Sequence, residues 1–158
     1  MTKVHRVLEA PDEVGTEVLR IPAGSALELD VRLEAVMEGV LVTGTVRGRA
    51  VGECVRCLED VEVEVDGDLQ ELYTHPDRLD GTEQDEDDEV RRLDGDLIDL
   101  EPAVRDVIVL DLPFQPVCRE DCPGLCSTCG VRLETDPQHH HDSVDPRWAA
   151  LADVHDLT

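Results

Sequence analysis

Lysine, serine and aromatic residues are all scarce in this sequence of 158 residues, and each shortage excludes a class of chemistry. The single lysine, Lys3, lies in no P-loop motif and leaves no internal lysine for Schiff-base catalysis. The serines at positions 25, 127 and 143 lie in no Gly-x-Ser-x-Gly motif, which excludes a hydrolase nucleophile elbow. Aromatic residues make up 2% of the chain, so its core must be built mainly from Val, Leu and Ala.

Positive charge is also scarce. The chain has 14 Lys and Arg against 38 Asp and Glu, a formal net charge of −24. Residues 51–100 hold most of the excess, with 19 acidic and 4 basic side chains. A nucleic-acid-binding protein normally presents a basic face, so this balance argues against broad contact with phosphates and favours basic partners.

Long hydrophobic runs are absent from the sequence. No stretch approaches the ~20 apolar residues of a membrane span, and residues 1–10 lack the apolar region of a signal peptide. We therefore expect a cytoplasmic protein that does not contact membranes. In a reducing compartment its six cysteines are expected to bind metal or to do redox chemistry rather than to form disulfides.

Alternating hydrophobicity predicts an antiparallel sheet in the first half of the chain. Residues 27–35 alternate apolar and charged side chains, which is typical of a strand with one solvated face. A turn at Glu38 and Gly39 leads to a second strand over residues 40–51, in which Gly44, Gly48 and Gly52 indicate bends or bulges. A third strand follows from Val61 towards Tyr73, completing a meander.

Helical periodicity appears once the sheet pattern ends. Apolar residues recur with helical spacing near residues 100–112, with Asp99 as N-cap and Pro113 as the stop. The residues near 78–92 are too acidic for a core and are expected to form a mobile loop. Asp145 and Pro146 are expected to begin a short C-terminal helix.

These patterns predict an α+β fold. It comprises an antiparallel β-rich domain with one amphipathic helix and a cysteine-rich, zinc-binding C-terminal segment. We place the β-rich domain at residues 1–117 and the knuckle segment with its short helix at residues 118–158.

Cysteine spacing is the strongest chemical signal in the chain. Cys126 and Cys129, followed by glycine, have the pattern of a zinc knuckle, in which two thiolates face one ion. Zinc requires four ligands, and two sets are open. A local site would use Cys118, Cys122, Cys126 and Cys129, whereas a ribbon-type site would join Cys54 and Cys57 to Cys126 and Cys129. Nearby histidines at 139–141 are within reach of a metal, but the loop-like composition around them favours a solvated loop.

No catalytic constellation is recognisable, so we expect no enzyme. A thiol oxidoreductase using Cys54 and Cys57 is a weaker alternative, because neither cysteine pair opens a helix in a βαβ unit. Direct RNA binding is another alternative, through phosphate contacts of the basic cluster Arg47, Arg49 and Arg56. Pairing of these arginines with the surrounding acids is an equally good interpretation.

Several stretches together resemble the YceD family, the large ribosomal RNA subunit accumulation proteins of bacteria and plastids. The resemblance rests on Gly-Glu-Cys-Val-Arg-Cys-Leu at 52–58, on residues 99–118, on the knuckle at 122–133 and on Asp-Pro-Arg-Trp-Ala-Ala-Leu at 145–151. It covers roughly residues 15–155. Many members carry further cysteines after the knuckle, where this chain has histidines at 139–141, and others lack most of the C-terminal cysteines.

The resemblance implies a non-enzymatic factor for normal accumulation of 23S ribosomal RNA in large-subunit assembly. The family's cysteine pattern falls on Cys54, Cys57, Cys118, Cys122, Cys126 and Cys129. Since the chain is strongly acidic, we expect it to bind a basic ribosomal protein or assembly factor rather than to coat RNA.

Overall fold

The computed structural model describes residues 1–75 and 91–141 and the single residue Arg147. Within these residues the chain forms six strands and one helix. The elements, in chain order, are β1 (Thr2–Glu9), β2 (Val14–Gly15), β3 (Leu19–Ile21), β4 (Ala26–Ala35), β5 (Gly39–Glu53), β6 (Asp60–Thr74) and α1 (Glu101–Asp111). No helix in this part of the chain is long and apolar enough to cross a membrane.

All strands belong to one antiparallel sheet built around β5. Along one edge β5 pairs with β6 over its whole length, from Gly39 opposite Thr74 to Glu53 opposite Asp60. Along its other edge β5 pairs first with β4 and then with β3. The outer positions are taken by β1 beside β4 and by β2 beside β3. The predicted meander of three strands is therefore confirmed as β4–β5–β6.

The core lies between one face of the sheet and α1. Alternate residues of β4 and most alternate residues of β6 are buried on this face, as the period of two predicts. On β5 every fourth residue from Val42 to Ala50 is buried, with glycines at the positions between. The helix buries Ala103, Val104 and Ile108 against it. A side chain at Gly67 of β6 would place its Cβ 2.4 Å from Cγ1 of Val107, so glycine allows the helix to approach the strand closely. The Tyr73 hydroxyl donates to the carbonyl of Asp99 just before the helix, at 2.9 Å.

The helix is present where periodicity predicts it, but its cap differs. Leu100 occupies the N-cap position and forms no side-chain cap. Asp99, predicted as N-cap, lies one residue earlier, and its Oδ1 accepts the Glu101 N–H at 3.0 Å. Its carboxylate therefore still binds a free N–H of the first turn. Leu112 forms the C-cap, directly before Pro113.

The expectation of bulges at the β5 glycines is wrong. The register runs through Gly44, Gly48 and Gly52 without an inserted residue. These glycines serve close approach instead, because a Cβ at Gly44 would lie 2.1 Å from the carbonyl oxygen of Asp30 on β4. Strands β1, β2 and β3 were not predicted.

Two predicted segments fall mainly or wholly outside the described residues. Of the predicted acidic loop near 78–92, only Arg91 and Arg92 are described, and the chain there pairs with the end of β6 through Thr74. The predicted C-terminal helix beginning at residue 145 has only Arg147 within the described set.

Candidate metal centres and the acidic face

The turn after β5 is built as a cysteine knuckle. The carbonyl of Cys54 accepts the N–H of Leu58 at 2.9 Å, and the N–H of Cys54 donates to the carbonyl of Glu59 at 2.7 Å. Leu58 has a φ of 59°, a left-handed conformation that a branched side chain rarely adopts. The tight turn directs the thiols of Cys54 and Cys57 to the same side.

The second knuckle, at residues 126–131, repeats this backbone pattern. The carbonyl of Cys126 accepts the N–H of Gly130, and the N–H of Cys126 donates to the carbonyl of Val131, both at 2.8 Å. Gly130 has a φ of 73°, at the position that Leu58 occupies in the first knuckle. Each knuckle therefore presents two thiols and needs two further ligands to complete a tetrahedral site.

Four cysteines meet where the first knuckle contacts the chain after α1. Sγ of Cys54 lies 3.9 Å from Sγ of Cys122, and Sγ of Cys57 lies 3.7 Å from Sγ of Cys118. All four sulfurs lie within 4.8 Å of one another, and three of the four residues are buried. We call this group the four-cysteine cluster. It joins residues on both sides of the predicted boundary at 117/118.

Backbone contacts hold the two halves of the four-cysteine cluster together. The N–H of Val55 donates to the carbonyl of Pro116, and the N–H of Leu125 donates to the carbonyl of Arg56, both at 2.9 Å. The Arg56 guanidinium donates in turn to the carbonyls of Glu120 and Cys122, both at 3.1 Å. The residue between the two cysteines of the first knuckle thus anchors the segment that supplies the other two.

Proton affinity differs among the thiols of the four-cysteine cluster. Burial raises the pKa of Cys54, but N–H groups of Cys118, Arg56 and Cys57 outweigh it and lower that pKa to about 6. Burial and hydrogen bonds to the neighbouring thiols, that of Cys122 foremost, raise the pKa of Cys118 to about 12. In such a cluster not all thiols ionise together unless a cation replaces their protons.

A second cluster forms from the second knuckle and two histidines. Nε2 of His139 lies 3.1 Å from Sγ of Cys129, and Nε2 of His141 lies 3.3 Å from the same sulfur. Cys126 completes the group, and all four atoms lie within 4.8 Å of one another. We call this group the Cys2His2 cluster. Hydrogen bonds from the N–H groups of Thr128 and Cys129 lower the pKa of Cys126 to about 6.

The ligand sets expected from spacing are not the sets that the structure assembles. Cys118 and Cys122 were expected beside Cys126 and Cys129, and Cys54 and Cys57 were the alternative partners of that knuckle. Instead Cys118 and Cys122 combine with Cys54 and Cys57. Arg56 binds the carbonyl of Cys122 and so holds that cysteine at the first knuckle.

Most of the histidine segment is exposed, as its interpretation as a solvated loop predicts, yet two of its rings contact the second knuckle. His139 and His141 turn their rings onto Cys129, and only a fifth of the His139 side chain is exposed. A turn returns the chain to the knuckle through hydrogen bonds from the N–H of Thr135 to the carbonyl of Arg132 and from the N–H of His139 to the carbonyl of Asp136. The signal available in the sequence was the run of three histidines at 139–141, ten residues after a Cys-x-x-Cys-Gly turn.

The solvent face of the sheet carries a row of carboxylates along β6. Its members are exposed and project from alternate positions of the strand. They are Asp60, Glu62, Glu64, Asp66 and Asp68, which we call the acidic stripe. The stripe lies on the face of the sheet opposite to α1, and all five of its residues are exposed.

Arginines of β5 lie beside the acidic stripe and pair with it. Nε of Arg47 lies 3.0 Å from Oδ1 of Asp66, and Arg49 contacts both Glu62 and Glu64 at 3.2 and 3.6 Å. Arg56, the third member of the suggested RNA-binding cluster, is engaged at the four-cysteine cluster instead. Arg47 and Arg49 are therefore paired with acids, as the alternative interpretation expects, whereas Arg56 binds backbone carbonyls.

Comparison with known proteins agrees with the motifs. The sequence model described as "Large ribosomal RNA subunit accumulation protein YceD" matches residues 42–155, a range that includes β6, α1 and both clusters. An uncharacterized protein of Mycobacterium tuberculosis is 48% identical over 154 residues, covering 98% of this chain and 74% of the relative. YlbN of Bacillus subtilis, also uncharacterized, is 31% identical over 112 residues, covering 68% of this chain and 61% of the relative.

A plant protein that shares a shorter segment is named for its role. Over 38 residues, 24% of this chain and 13% of the relative, the sequence is 45% identical to a maize protein named "Large ribosomal RNA subunit accumulation protein YCED homolog 1, chloroplastic". No solved structure matches the chain. With a family model that spans most of the sequence and relatives that align over nearly all of it, the chain belongs to the YceD family.

Proposed function

We propose that this protein is a non-enzymatic, cytoplasmic factor that supports 23S ribosomal RNA accumulation and large-subunit assembly by binding a basic ribosomal protein or assembly factor. The observation that carries the proposal is the family match over residues 42–155, together with the name of the maize relative. The fold adds a surface for such a partner, because its solvent face is dominated by carboxylates rather than by arginines.

The acidic stripe supports a protein partner. Five carboxylates at alternate positions of a strand project to one side, and neighbouring ion pairs with Arg47 and Arg49 offset only part of their charge. A row of like charges attracts a basic chain and speeds the encounter, with a strong dependence on salt. Arginines already paired with carboxylates have fewer free N–H donors and less uncompensated charge for an RNA phosphate. Direct RNA binding is therefore the weaker candidate.

Structural zinc at the four-cysteine cluster is the second part of the proposal. Four thiol ligands leave no open position for a substrate, which is the composition of a structural rather than a catalytic zinc site. The cluster ties the β5–β6 turn to the chain that leaves α1, so an ion there would cross-link the sheet to the C-terminal segment. Cys54 has no exposed surface, so a disulfide substrate has no access to its thiol.

Affinity purification tests the choice of partner. Tagged protein is recovered from its own cytoplasm at low salt, and half of the sample is treated with nuclease before elution. We expect large-subunit ribosomal proteins or assembly factors to remain bound after nuclease and to dissociate as salt rises, since exposed charges are screened beyond about 10 Å at 0.1 M salt. Loss of every ribosomal component upon nuclease treatment would make RNA the partner and overturn the argument from charge.

A further inference from the structure

The Cys2His2 cluster has the donor geometry of a second metal site. Ligand atoms around tetrahedral zinc lie about 3.3–3.8 Å apart, because zinc–nitrogen and zinc–sulfur bonds are about 2.0–2.3 Å long. Here each histidine Nε2 lies 3.1–3.3 Å from Sγ of Cys129, and the two Nε2 atoms lie 2.9 Å apart. Small outward shifts would place the four atoms around one ion.

A carboxylate lies near the ring nitrogen of His139 that does not face the cluster. Oδ2 of Asp136 lies 3.7 Å from Nδ1 of His139, on the ring edge opposite to the cluster. Metal-binding histidines commonly face a carboxylate with their other ring nitrogen, which keeps the proton there and frees the lone pair for the ion. The arrangement Asp136–His139–cluster has this order of groups, at a distance longer than a hydrogen bond.

The segment that carries the cluster lacks a core of its own. No residue in the described range 125–141 is buried, and the apolar residues Leu125, Val131 and Leu133 are only partly covered. Its order rests on a few backbone hydrogen bonds, on the ion pairs of Arg132 with Glu59 and of Glu134 with Arg119, and on the side chains gathered at Cys129. Short segments of this kind are commonly held by a metal, whose binding free energy becomes folding free energy.

We propose that Cys126, Cys129, His139 and His141 bind a second zinc ion, separate from the ion proposed at the four-cysteine cluster. The protein then carries two zinc ions per chain, one on four thiolates and one on two thiolates and two imidazoles. The second ion fastens residues 126–141 into a closed loop beside the sheet. Zinc suits the site, because mixed cysteine and histidine ligands in a closed set of four are typical of structural zinc.

Zinc stoichiometry of the full chain tests this proposal. The protein is loaded with zinc under reducing conditions, freed of excess metal by gel filtration and measured by mass spectrometry of the metal. We expect two zinc ions per chain in the unaltered protein and one in the double variant His139→Ala/His141→Ala. The neighbouring variant His140→Ala is the matched control and should keep two. One ion in the unaltered protein, or two in the double alanine variant, would overturn the proposal.

A second variant separates metal ligation from general damage to the loop. In His139→Cys/His141→Cys the cluster becomes four thiolates, so two zinc ions per chain should be retained. With cobalt in place of zinc, its thiolate-to-metal absorption per chain should exceed that of the unaltered protein, because two more sulfurs bind metal. Equal absorption in the two proteins would mean that residues 139 and 141 are not ligands. Neither the zinc stoichiometry nor the cobalt absorption depends on a ribosomal partner. Both therefore test the second zinc site independently of the proposed function.

Discussion

Replacing Cys54 with serine should remove one zinc ion per chain and lower the free energy of unfolding by more than about 4 kcal/mol. Cys54 is fully buried, and its sulfur faces Cys122 across the junction between the β5–β6 turn and the chain after α1. A serine hydroxyl is a poor zinc ligand, and a buried hydroxyl left without a partner adds its own desolvation cost. Chemical denaturation followed by circular dichroism measures the loss.

The control for this variant lies in the same turn. Val55→Ser changes a half-exposed side chain between the two cysteines and keeps the backbone hydrogen bond from residue 55 to Pro116. It should retain all bound zinc and lose less than about 1 kcal/mol, as surface substitutions commonly do. If Cys54→Ser behaved like Val55→Ser in both metal content and stability, the four-cysteine cluster would not be a structural zinc site.

Neutralising the acidic stripe should weaken partner capture at low salt by at least about tenfold, equivalent to about 1.4 kcal/mol. In this variant the five carboxylates of the stripe become the corresponding amides. The sheet should remain folded, because every position is exposed and its ion pairs are of the kind that contributes little to stability. Recovery of ribosomal proteins after nuclease treatment, measured against salt concentration, reports the effect.

A variant with the same change in net charge separates the stripe from the charge of the whole chain. It carries the same number of acid-to-amide substitutions at exposed positions outside β6. These positions are Glu9, Asp12, Glu13, Asp94 and Asp96. We expect this variant to keep most of its partner binding. Equal losses in both variants would show that net charge alone, and not this face of the sheet, attracts the partner.

The sheet could be predicted from the sequence where the alternation of residue types is long enough. Residues 27–35 and 61–73 alternate over many positions, and they form β4 and β6 with the predicted faces. Strands β2 and β3 have two and three residues, too few to display a period. Strand β1 is exposed at nearly every position, so it is fixed by its hydrogen bonds to β4 rather than by burial.

The metal centres show that cysteine spacing alone does not determine which cysteines share a site. The cysteines involved could be named from their Cys-x-x-Cys patterns, but their grouping depends on where the chain returns after α1. That return is set by contacts such as Arg56 with the carbonyl of Cys122, which no local pattern reveals. The sequence did not reveal that His139 and His141 face Cys129, because the composition of a loop does not show which way a turn directs the side chains.

The ratio of 23S to 16S ribosomal RNA in cells depleted of this protein tests its proposed role in large-subunit RNA accumulation. Depletion should lower the ratio and leave 16S levels near normal. Expression of the unaltered chain should restore the ratio, and the stripe-neutralised variant should restore it less. An unchanged ratio under full depletion would contradict a role in large-subunit RNA accumulation.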